Sequence, residues 1–91
     1  KIEFVGVVFD ANAHMARIRN ITTTATLAIG TTDRCSNNNS GHSHGIKTIT
    51  VGAGDVIELQ HFLGATAANN LGSPATTGEN ETYARVVIDK L

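Results

Sequence analysis

With 91 residues, a net charge of −1, 41% hydrophobic and 16% charged residues, the chain makes one domain near the lower size limit for a self-sufficient core. The lack of a Lys/Arg excess argues against nucleic-acid binding, and a single Cys excludes an intrachain disulfide scaffold or a Cys-based zinc site. No apolar run approaches the ~20 residues of a membrane-spanning helix. No basic-then-apolar leader is visible, and opening on Lys1 rather than Met is what a processed product or excised fragment would show.

Thr, Val, Ile, Asn and Gly dominate, a composition suited to strands and turns rather than helices. Six segments read as strands. Lys1 to Asp10 is rich in Val and Phe. His14 to Thr22 alternates, with His14, Ala16 and Ile18 on one face and Met15, Arg17 and Arg19 on the other. Ala25 to Gly30 carries Leu27 and Ile29 on one side. Gly45 to Val51 sets Ile49 and Val51 opposite Thr48 and Thr50. Asp55 to Leu63 places Ile57, Leu59, His61 and Leu63 on one face and Val56, Glu58, Gln60 and Phe62 on the other. Tyr83 to Leu91 separates Ala84, Val86 and Ile88 from Tyr83, Arg85, Val87 and Asp89. Period-two alternation of this kind signals half-buried antiparallel strands.

Gly52-Ala53-Gly54-Asp55 reads as a tight reversal. Thr31 to Gly45 and Gly64 to Thr82 read as long polar loops, the second holding Pro74 and leaving room for one short helix over Thr66 to Leu71. The pattern implies an all-β antiparallel sandwich or jelly roll spanning residues 1–91. Six strands are few for two sheets. N-terminal strands are therefore expected to be missing, or neighbouring copies to cover the exposed faces. Apolar residues on the second face of a strand, such as Val56 and Phe62, favour a symmetric oligomer.

The ordered series His14-Met15-Ala16-Arg17-Ile18-Arg19-Asn20, Thr22 to Thr24, Ala28-Ile29-Gly30-Thr31, a Ser-rich loop before Ile46 to Val51, Gly54-Asp55-Val56-Ile57-Glu58-Leu59-Gln60-His61 and the closing Tyr83 to Leu91 resembles a known family. It is similar to the distal head, or receptor-binding, domain of bacteriophage tail fibres and tail spikes, within the tumour-necrosis-factor/complement-like jelly rolls. The resemblance implies a viral structural protein at the tip of a virion tail fibre. It would be a homotrimer borne on an upstream fibre shaft, attaching non-enzymatically to a host-cell surface glycan or protein, with no nucleic acid and no membrane insertion. Under that reading, Asn37, Asn38, Asn39, Asn69, Asn70 and Glu79 are the candidate ligand contacts, since polar loops can hydrogen-bond sugar hydroxyls. Two alternatives stay open: a virion cap, decoration or trimerisation module that touches no receptor, and a secreted complement-like lectin.

Other residues invite specific readings. In Gly41-His42-Ser43-His44-Gly45 the two imidazoles share one side of an extended backbone. One chain offers too few ligands for a closed site, whereas a threefold axis would supply six nitrogens for a transition metal through His42 and His44. Fibre tips of some phages are similar in using Gly-x-His-x-His around axial iron. The plainer reading is a solvated pair in a Gly/Ser loop. His61 is expected to be a partly buried, hydrogen-bonded His of core or interface, with a pH switch as the alternative, and His14 is expected to be structural. Arg17, Arg19, Val56, Glu58, Gln60, Phe62, Tyr83 and Arg85 are the candidate oligomer interface, where an Arg–Glu pair between subunits would fix register. Exposed rim charges are the alternative. Cys35 could be a free thiol. Glu79 and Glu81 are neighbouring acids, but no catalytic constellation is apparent and no enzyme is expected.

Overall fold

Strand propensity and alternation are realised throughout the computed structural model, which describes residues 1–10, 12–35, 39–64, 71–72 and 83–90. The strands are β1 (Ile2–Phe9), β2 (Asn12–Asn20), β3 (Ala25–Cys35), β4 (Ser40–Lys47), β5 (Ile57–Leu63) and β6 (Ala84–Ile88). They form two antiparallel three-stranded sheets, one ordered β4-β1-β6 and the other β3-β2-β5. These are called sheet A and sheet B below. The two pack face to face as an all-β sandwich.

The alternation decides which side chains meet between the sheets. Ile2 and Phe4 of β1 face Ala16 and Ile18 of β2, with Ala28 of β3 beside them, all buried, and buried Val8 lies apart from this cluster. Leu27, Ile49, Ile57 and Leu59 pack around this cluster, and Leu63 lies against Val8. Expelling these apolar groups from water is the main force holding the sheets together.

Three expectations need correction. Residues 31–35 extend β3 rather than opening a loop, and β4 covers Ser40–Lys47 rather than residues 45–51. Gly41, Ser43 and Gly45 are the less exposed positions of β4, and His42 and His44 are exposed. The strand alternates in size, not hydropathy. Gly45 is required because the Phe4 ring occupies the space a Cβ would take. On β3, it is Ala28 that turns inward opposite Ile18, while Ile29 is exposed opposite Arg17; Leu27 is an extra, unpaired residue of β3 between the Ile18–Ala28 and Arg19–Thr26 pairs, and this bulge parts Leu27 from Ile29. The helix considered for residues 66–71 falls largely outside the described residues.

Where β3 and β4 meet, side chains rather than a ladder join the sheets. The Asp33 carboxylate accepts from the His42 N–H at 2.9 Å, and Thr31 Oγ1 accepts from the His44 N–H at 3.0 Å. Buried Ser43 donates to the Thr31 carbonyl and accepts from the Ala16 N–H at 3.0 Å. At one end, buried Asn20 accepts from the N–H groups of Thr22 and Thr23 and donates to Asp55 at 2.9 Å. This closes the β2–β3 turn, where Thr24 has φ 57°, and ties it to the reversal at residues 52–55. Those bonds hold the Asp55 carboxyl below its usual range, Asn20 contributing most and the Gly52 N–H next.

Candidate interaction faces and the histidine pair

The outer face of sheet B is a grid set by strand register. Thr32, Met15 and Phe62 form one row, Ile29, Arg17 and Gln60 the next, and Thr26, Arg19 and Glu58 the third. Two large apolar side chains stand clear of the surface, since Phe62 and Ile29 are each 62% exposed. Val56, just before β5, is exposed as well, its backbone held by Ile21 N–H and Thr22 Oγ1. Polar groups run between the apolar ones. Arg17 Nε donates to Gln60 Oε1 at 2.9 Å, Gln60 Nε2 donates to Glu58 Oε1 at 2.8 Å, and Arg19 donates to Thr26 Oγ1 at 2.9 Å. Among the described residues, Arg19 and Glu58 make no ion pair with each other or with any other group. A hollow of ≈ 260 Å³ lies among Met15, Arg17, Gln60, His61 and Phe62.

Six of the eight expected interface residues therefore share this face: Arg17, Arg19, Val56, Glu58, Gln60 and Phe62. Tyr83 and Arg85 do not; they belong to sheet A, where the Tyr83 carbonyl accepts from Val7 N–H and Arg85 is paired with Val5. The outer face of sheet A is a second mixed surface. Ile46, Glu3 and Val87 form one row and His44, Val5 and Arg85 another. Ile46 is 55% and Val87 42% exposed.

His42 and His44 stand on this second face, exposed on edge strand β4 rather than in a loop before a strand. His44 Nε2 lies 3.1 Å from Glu3 Oε2. Among the described residues no three His, Cys, Asp or Glu side chains converge as a metal site would need. Of the expected ligand contacts, Asn39 is exposed and its carbonyl accepts from Asp10 N–H at 3.0 Å. Asn37, Asn38, Asn69, Asn70 and Glu79 lie outside the described residues, as does the Cys35 side chain.

Between the sheets, His14 and His61 form a pair. His14 Nε2 and His61 Nδ1 are 2.8 Å apart, and the rings stack at 5.0 Å between centroids, 24° from parallel. His14 is fully buried and His61 half-buried. Desolvation pushes both imidazoles below their ordinary value; for His14 the neighbouring His61 adds to the effect and Asp33 opposes it. Each ring was legible as an inward residue, because each sits on the apolar side of its strand. Their meeting was not, because it depends on the β2–β5 register, which sets Ala16 opposite His61 and His14 opposite Leu63.

Compared with known proteins, the chain matches no family model, no curated protein and no solved structure.

Proposed function

We propose that the chain is a non-enzymatic attachment domain that works as a self-associated head, a homotrimer of the phage tail-fibre tip type with a jelly-roll-like sandwich, contacting a host-surface glycan or protein. The observation that supports self-association is the outer face of sheet B, where Phe62, Ile29 and Val56 stay exposed in the isolated chain. Large apolar groups gathered on one face, interleaved with Arg17, Arg19 and Glu58, fit a protein–protein interface better than a solvated surface. The attachment role rests on the ordered sequence motifs.

Sedimentation equilibrium at micromolar concentration tests the first half, with a trimer expected. A well-folded monomer at that concentration refutes it. Glycan-array binding and blocking of phage adsorption test the second, with loss expected on Asn39→Ala combined with Asn37→Ala and Asn38→Ala. A trimer that neither binds nor blocks is a structural cap, not an adhesin.

A further inference from the structure

The attachment role leaves the imidazole pair between the sheets unused. An N–H···N bond needs one ring nitrogen carrying hydrogen and the other bare. It persists when both rings are neutral and when one is a cation. With both rings protonated, two N–H groups confront each other and attraction becomes repulsion. On the His14 side the surroundings supply no replacement partner. His14 is 0% exposed and its Nδ1 has no hydrogen-bond partner. The His61 ring lies over Gly6 of β1, filling the space where a Cβ would sit.

Charge near the pair is sparse among the described residues. β1 turns Gly6 and Val8 inward, and β4 turns Ser43 inward with its hydroxyl already engaged by Thr31 and Ala16. β5 adds Leu63, opposite His14. Asp33 on β3, also opposite His14, favours a charge on that ring, and its oxygens already accept from the Arg34 and His42 N–H groups; Arg17, bonded to Gln60, lines the outer hollow beside His61 and adds a cation, not a counter-ion. A single carboxylate offsets one cation, not two.

We propose that the His14–His61 pair is an acid-operated latch that holds β5 on β2 and opens that ladder when both rings are protonated. Burial keeps the closed rings less basic than the ordinary imidazole value of 6.5. Opened rings therefore take up protons more readily than closed ones. The closed form is fully favoured above that ordinary value and loses ground as pH falls through it. Since β5 also carries Glu58, Gln60 and Phe62, opening would loosen the self-association face, but the latch stands without that reading.

Imidazole NMR titration of the intact chain, with amide hydrogen exchange from pH 7.5 to 4.5 corrected for intrinsic rates, provides the test. His14 and His61 are expected to titrate below the ordinary imidazole value of 6.5. Protection of the β2–β5 amides is expected to fall by up to about a hundredfold per pH unit, the limit for two protons, while β1–β4 amides hold. In His61→Gln the side-chain amide can still pair with His14, one proton site is gone, and the limit drops to about tenfold per unit. Titration of His14 and His61 at or above the ordinary imidazole value, equal loss on both ladders, or undiminished steepness in His61→Gln would each overturn the latch. If His61→Gln does not fold, the titration and exchange of the unaltered chain decide it. Neither readout needs association, so a monomeric chain sinks the assembly reading and leaves the latch testable.

Discussion

Replacing Phe62 with Ser removes the largest exposed apolar group from sheet B without touching the core. Phe62 is 62% exposed on the outer face of β5, opposite Met15. A phenylalanine offers roughly 200 Å², so about 120 Å² of it stays wet in the isolated chain. At ~25 cal/mol per Å², covering that area in a neighbouring copy contributes about 3 kcal/mol per interface. Since ~1.4 kcal/mol is tenfold in an equilibrium constant, Phe62→Ser should weaken each contact by about a hundredfold. The share of Phe62 already covered in the isolated chain, about 75 Å², sets the loss of fold stability at no more than about 2 kcal/mol by the same coefficient. Sedimentation equilibrium reads the first quantity, and urea unfolding of the dilute chain reads the second. Unchanged association would refute the placement of the interface on sheet B. A large loss of fold stability with no change in association would show that Phe62 serves the sandwich itself.

Three further substitutions separate fold from assembly. Gly45→Ala drives a methyl into the Phe4 ring and should cost about 1–3 kcal/mol of stability in urea unfolding. Asn20→Ala removes two bonds to the Thr22 and Thr23 amides and one to Asp55; a loss of about 2 kcal/mol is expected. Asp55 stabilises the fold above the ordinary carboxylate range and loses that effect as pH falls through its lowered value, so in Asn20→Ala its carboxyl should titrate closer to normal and this part of the acid sensitivity should shrink, read by carboxyl NMR. Arg19→Glu loses the Thr26 bond and sets a second carboxylate opposite Glu58, so it should cost up to about 1 kcal/mol in urea unfolding and weaken self-association in sedimentation runs, both effects being larger at low salt than at high salt.

β1 is apolar on both faces, and β6 is exposed along its whole length, so its two expected faces do not separate buried from wet. The parity of β2 and β5 was legible because their apolar residues recur at every second position, and one face of each must leave water. This also placed Arg17, Glu58, Gln60 and Phe62 together before any register was known. β4 was misread because its inward residues are Gly41, Ser43 and Gly45, which carry almost no hydropathy signal; their role is to let the backbone approach Phe4, and Phe4 is distant in sequence. Ile29 was misplaced because an irregularity in strand register shifts parity without changing composition. The His14–His61 contact and the split of Tyr83 and Arg85 from the other interface residues depend on which strands pair, and alternation within one strand carries no record of its neighbours.

That split bears on the number of copies. A twofold joins like surfaces, so sheet B would meet sheet B and the outer face of sheet A, with Ile46, Val5 and Val87, would remain wet. A head-to-tail arrangement is heterologous: one face of each copy meets a different face of the next and both mixed surfaces are covered, as a ring where the rotation closes and as an open stack where it does not. The two arrangements respond differently to mixing. In a ring, Phe62→Ser disables the sheet B contact and Val87→Asp the sheet A contact, so each variant alone is monomeric. Combined, the intact sheet B of the second variant meets the intact sheet A of the first, and closed heterodimers form. In a twofold, Val87→Asp alone would still dimerise and mixing would add nothing. Sedimentation of the two variants, separate and at equal ratio, distinguishes these outcomes, and a dimer from Val87→Asp alone would end the threefold reading.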